Sequence, residues 1–169
     1  MAAGTITSLA VAARGTGTTP SRSPYFVEAS IDIAAAVAAK GSALEAGEII
    51  QAITVPANTM IMTAGIEVTT AVDASSADAV ISLGVTGLDV DRFVAGFEFD
   101  AADAPAGTYT TQADGSAPVV IGGTADTIDL ELDSISTAPV SGVLRVFAVL
   151  LDVDAQGGTA DEVDRDQIA

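Results

Sequence analysis

From Tyr25 onward the chain is built of short apolar runs that alternate with polar residues, the period-two pattern of half-buried strands. Residues 25–33 (YFVEASIDI) alternate throughout. Residues 48–55 (EIIQAITV) form a second run, closed by Pro56-Ala57-Asn58. Residues 59–70 (TMIMTAGIEVTT) form a third, with a bulge or bend expected at Gly65. Residues 79–85 and 92–99 follow, separated by the turn-like Thr86-Gly87-Leu88-Asp89. Residues 107–111 are a short candidate strand. Residues 118–121 and 127–133 bracket Gly122-Gly123, a hairpin-type signal. Residues 142–153 (GVLRVFAVLLDV) read as the longest and most apolar strand, expected at the centre of a sheet. About eight or nine strands at this spacing predict an all-β chain, a single β-sandwich or jelly-roll-like domain.

Only residues 34–46 read as helical, through their alanines and a possible stop at Gly47. No repeat of solenoid length is present. Three parts are expected: an extended N-terminal arm over 1–24, a sandwich over 25–153 and an acidic tail over 154–169. The arm segment RGTGTTPSRSP has loop composition, and Pro20 and Pro24 favour extended backbone.

Charge sharpens this division. The 169 residues carry a formal net charge of −17, from 23 acids and 6 bases. Residues 1–24 hold Arg14 and Arg22 and no acid, whereas residues 152–169 hold six acids against Arg165. Hydrophobic residues make up 49% of the chain, far from the composition of acidic disordered chains. The absence of cysteine excludes disulfides and thiolate chemistry, and the absence of histidine excludes histidine-based triads and most zinc or copper sites. The acidity argues against nucleic-acid partners. No run has the roughly 18 apolar residues of a membrane span, and the short apolar stretch over 6–13 lacks a preceding basic region, so neither membrane insertion nor export is expected.

Few residues offer chemistry. Asp152-Val-Asp154-Ala-Gln156-Gly157 begins like a calcium loop, but the twelfth position is Val163 rather than a bidentate glutamate. Asp89-Val-Asp91 resembles a metal-holding pair, yet without a nucleotide-binding βαβ pattern it reads as an exposed turn. Asp129, Glu131 and Asp133 alternate with Ile128, Leu130 and Leu132, which puts acids on one face of a strand and aliphatics on the other. Acid–base catalysis needs carboxyls opposed across a substrate, whereas a solvated strand face accounts for same-strand neighbours. Tyr25, Phe26, Phe93, Phe97, Phe99 and Phe147 are expected in the core, with Phe93, Phe97 and Phe99 on one face. No enzymatic activity, cofactor or metal is expected.

The run over 53–68 (ITVPANTMIMTAGIEV) resembles a segment of small virion proteins of tailed bacteriophages. Residues 126–130 (DTIDL) and 142–153 share the resemblance, which covers about residues 25–153, roughly three quarters of the chain. The family is that of capsid decoration (cement) proteins or related head proteins. The resemblance implies a β-sandwich or jelly roll, commonly trimeric, bound to the outer capsid surface of the virion. The partner would be the major capsid protein of the same virus, and synthesis would take place in the host cytoplasm. It supplies no active site. Residues 143–151, aliphatic on both faces, also predict a homo-oligomer, a closed trimer being the expected form. The arm lies outside the resemblance. Within it, Ile6, Leu9 and Val11 are expected as apolar anchors on the capsid or as an added edge strand, and Arg14 and Arg22 as partners of carboxylates. The rival expectations are a fibre base or host-recognition knob that binds a receptor or glycan, and a secreted adhesion or carbohydrate-binding module.

Overall fold

The computed structural model describes residues 24–72, 78–100, 103–111 and 118–153, together with the backbone of residues 5–6 and 11–12. In chain order the elements are β1 (Thr5–Ile6), β2 (Val11–Ala12), β3 (Tyr25–Asp32), α1 (Ile33–Lys40), β4 (Ile49–Val55) and β5 (Thr59–Thr70). They continue with β6 (Asp78–Val85), β7 (Asp89–Glu98), β8 (Tyr109–Thr111), β9 (Val119–Val120), β10 (Asp126–Thr137) and β11 (Val143–Asp152). Two sheets result. Sheet I has the order β1-β4-β10-β6-β7, with β2 also on β4, and sheet II the order β3-β11-β5-β8, with β9 also on β5. The nine strands β3–β11 pair antiparallel, and only β1 and β2 run parallel to their partner.

The fold is thus the expected β-sandwich, and its core follows from alternation. Ile31, Ile61, Ile66, Leu144 and Val146 of sheet II meet Ile50, Ile53, Ile81, Leu83, Ile128 and Leu130 of sheet I, all fully buried. Strand β11 is central in sheet II, between β3 and β5, as its two-sided apolar pattern requires. It is not the longest strand: β5 and β10 have 12 residues against its 10.

Three local expectations are corrected. The helix ends at Lys40, not near Gly47, because Gly41 already adopts a left-handed φ of 78° and donates its N–H to the Val37 carbonyl at 2.9 Å. Its start is capped by Asp32, whose carboxylate accepts the Ala34 N–H at 2.8 Å. Gly122-Gly123 is a corner rather than a hairpin, since β9 lies on sheet II and β10 on sheet I. Gly65 is not a bulge; the register of β5 against β11 shifts near Thr63 and Thr70 instead. At Gly65 a Cβ would stand 2.5 Å from the Thr110 carbonyl oxygen and 2.6 Å from the Phe147 ring, so the position needs glycine for space.

The aromatic residues divide. Phe93 and Phe99 are fully buried, whereas Phe97 is only partly so. The register shift opposite Ser82, where Gly96 takes a φ of 65°, breaks the single face expected for the three. Phe26, expected inside, is 59% exposed.

Candidate functional site

The outer faces of the two sheets differ in chemistry. On sheet II, the outward set of β11 is Val143, Arg145, Phe147, Val149 and Leu151, alternating with the buried Leu144, Val146, Ala148 and Leu150. The Phe147 ring lies over Gly65 on one side and stacks on Phe26 of β3, with centroids 6.2 Å apart and an interplanar angle of 20°. Exposed Met62 and Val120 extend this apolar pad on β5 and β9. Arg145 bridges two carboxylates of the face. Arg145 Nη1 lies 3.2 Å from Glu28 Oε2, Nη2 pairs with Glu67, and the Tyr109 hydroxyl donates to Glu67 Oε1 at 2.6 Å. That last bond holds the Tyr109 phenol above its ordinary pKa.

Sheet I carries the acids. The Ile128, Leu130 and Leu132 side chains enter the core and Asp129, Glu131 and Asp133 face outward, as the alternation predicted. The expectation of a fully solvated face fails at Asp129, which is only 2% exposed. The cause is the β6–β7 connection together with the start of β7, whose Asp89 and Val90 backbone lies over Gly84, the cross-strand neighbour of Asp129. Asp129 Oδ2 accepts the Thr86 N–H from that connection at 3.1 Å. Nearby, the Ser82 hydroxyl donates to Asp133 and accepts the Gly96 N–H at 3.0 Å. Asp89 and Asp91 stand exposed at the start of β7, with Arg92 Nη1 3.8 Å from Asp89.

Burial raises the Asp129 carboxyl pKa above its usual range. Glu131 is raised by burial and then by the charges of Asp133 and Asp91, and Asp91 chiefly by its hydrogen bond with Asp89. All three shifts are upward, so the folded protein holds these protons more tightly than the unfolded chain does. Stability is therefore expected to rise as pH falls from 7 through the raised values toward about 4, the ordinary carboxylate range. Added salt at neutral pH is expected to raise the melting temperature by screening the smaller repulsive contribution among Asp89, Asp91, Glu131 and Asp133. Thermal melts across that pH range check both, and Asp129→Asn should reduce the gain on acidification. A fall in stability between pH 7 and pH 5 would show that these carboxylates are compensated.

The arm residues singled out in the sequence are only partly described. Ile6 and Val11 lie in β1 and β2, whose backbones pair with Ile50 and Ile53 on the outer edge of β4. Leu9, Arg14 and Arg22 lie outside the described residues, as do Asp154, Gln156 and Gly157 of the calcium-like run. Asp152 ends β11. Among the described residues no group of three or more acids is arranged to hold a metal ion. The apolar pad of sheet II was missed in the sequence, although Phe26 shares the parity of Glu28, Ser30 and Asp32, the outward set of its strand.

No protein-family model matches the chain, and no curated protein sequence matches it. Solved structures do match. A chain in the capsid of Ralstonia phage GP4 aligns with a TM-score of 0.61 at 12% identity, over 86% of this chain and 99% of that one. A chain in the cyanophage Pam1 capsid asymmetric unit aligns with a TM-score of 0.53 at 10% identity, over 83% and 91% of the two chains. What is shared at such identities is the fold.

Proposed function

We propose that this protein is a virion structural protein that binds and stabilises the outer surface of a phage capsid, in the manner of a decoration or cement protein. The observation that carries the reading is the fold held in common, over nearly the whole of each partner chain, with chains of two phage capsids. The contrast between the two faces supports it. A pad of Phe26, Phe147, Met62 and Val120, on a face where Arg145 bridges two carboxylates, suits burial against protein. The acidic face of sheet I, with Asp91, Glu131 and Asp133, suits water. The role is structural rather than catalytic, the partner is the major capsid protein, and the working form is a homo-oligomer, a trimer closing about one axis. The arm contributes through Arg14 and Arg22, free of neighbouring acids in sequence and suited to carboxylates on the shell.

The experiment adds purified protein to capsids that lack it and images the particles. Regularly spaced extra density over the shell, reaching saturation, is the expected result. Density confined to a vertex or tail, or no binding at all, overturns the reading.

A further inference from the structure

Strand β4 has two unlike neighbours. On one side β10 pairs with it along most of its length, from Val55 to Ile49. On the other, among the described residues, it carries β1, with Thr5 opposite Ile49 and Ile6 opposite Ile50, and β2, with Val11 opposite Ile53 and Ala12 opposite Thr54. Four residues separate β1 from β2 where only two separate their partners on β4. The cover is thus a pair of short parallel ladders, while the strand beneath it (IIQAITV) is uncharged, with Ile50, Ala52, Ile53 and Val55 buried. A bare edge of that composition is an open template for another strand.

The covering segment joins the rest of its own chain through a long run of residues. Between Ala12 and Tyr25 stand twelve residues that include Gly15, Gly17, Pro20 and Pro24. Twelve extended residues span at most about 40 Å, and a body of this size is about 35 Å across. A linker of that length can reach β4 of an adjacent copy. Charge allows the same exchange, because residues 1–24 carry no acid and the remainder of every copy is strongly acidic.

We propose that the outer edge of β4 is a strand-accepting site whose occupant, when copies pack side by side, is residues 5–12 of a second copy of this chain. Every backbone hydrogen bond made within the chain is made again between chains, so the exchange costs only the difference in linker entropy. A shell built of such units is joined by reciprocal strand donation at no cost in new surface. This step goes beyond the proposed capsid role and requires only neighbouring copies, so it is tested on the protein without capsids.

The chain has no cysteine, so introduced thiols report alone. Ala12 and Thr54 are direct ladder partners, at a spacing that a disulfide can bridge. The double variant Ala12→Cys with Thr54→Cys is oxidised as a single species. Then Ala12→Cys is mixed with isotopically heavy Thr54→Cys, where a 12–54 disulfide can form only between chains. Ser30→Cys, exposed on the far face of β3, replaces Thr54→Cys in the control mixture. The expected result is a 12–54 disulfide in the double variant, and a mixed dimer several-fold above the control that rises with protein concentration and falls when excess unmodified protein competes. Closure only within the chain, with mixed dimers at the control level, overturns the exchange. Failure of the double variant to form any 12–54 disulfide overturns the strand-accepting edge itself. Either outcome leaves the capsid experiment to stand or fall separately.

Discussion

Replacing Lys40 with methionine is expected to remove about 3–5 kcal/mol of stability, the cost of leaving one member of a buried ion pair behind. Lys40 is the only lysine of the chain. It ends α1, where a cation also favours the helix C-terminus, and its Nζ lies 2.5 Å from Glu48 Oε1. The Glu48 side chain is 1% exposed, and its second oxygen accepts the Glu45 N–H at 2.9 Å. Its backbone carbonyl accepts the Leu132 N–H at 2.9 Å, so the same residue seats the start of β4 on β10. Without the ammonium, a desolvated carboxylate stays at the junction of helix and sheet, with no other cation paired to it among the described residues. Denaturant unfolding measures the loss, and for a chain of this length the melting temperature should fall by roughly 10 °C. Lys40→Met combined with Glu48→Leu should recover most of it, because an apolar pair of similar volume carries no desolvation cost. A loss below about 1 kcal/mol in the single variant would mean that water reaches Glu48 in the folded state.

Alternation along the strands made most of the sandwich legible. It put Ile128, Leu130 and Leu132 inward and identified β11 as a central strand. What alternation does not encode is which sheet a strand joins. Gly122-Gly123 has hairpin chemistry, but a corner between sheets uses the same residues, and long-range pairing of β9 with β5 decides between them. The same limit hid the role of Gly65, whose requirement comes from a ring more than eighty positions away. The parity of Phe26 points outward, against the ordinary preference of aromatic residues for the interior. Its partner Phe147 shares the parity of Arg145, so the exposed pad was written in two strands that sequence alone does not bring together. The arm's chemistry pointed outward to a partner, while the pairing of β1 and β2 with β4 depends on an edge that appears only once the sheet is assembled. Asp129 shows the limit most plainly. Its outward direction followed from its neighbours, but its burial follows from the path of a distant connection, and the one local signal of that path is the glycine inside β6.

Gly84→Ala is accordingly expected to be costly, at the upper end of the 1–3 kcal/mol typical (~) for overpacking. The added Cβ would stand 2.2 Å from the Asp89 carbonyl oxygen and 2.4 Å from the Val90 carbonyl carbon. These are backbone atoms, which cannot swing aside as the end of a flexible side chain can. The connection that carries Thr86, together with Asp89 and Val90 at the start of β7, must lift from the outer face of sheet I, and this uncovers Asp129. Two changes should therefore appear together. Unfolding should occur at lower denaturant, and the Asp129 carboxyl, held up by burial in the native protein, should titrate closer to the ordinary aspartate value. Gly87→Ala separates this effect from general strain in the turn. Gly87 has a left-handed φ of 91° and open space around it, so its substitution should cost only about 1 kcal/mol of backbone strain and leave the Asp129 titration where it was. Carbon-detected NMR titration of the aspartate carboxyls reads both variants. If Gly84→Ala proves as mild as Gly87→Ala, with the Asp129 titration unmoved, the connection does not press on β6 and the burial of Asp129 has another source.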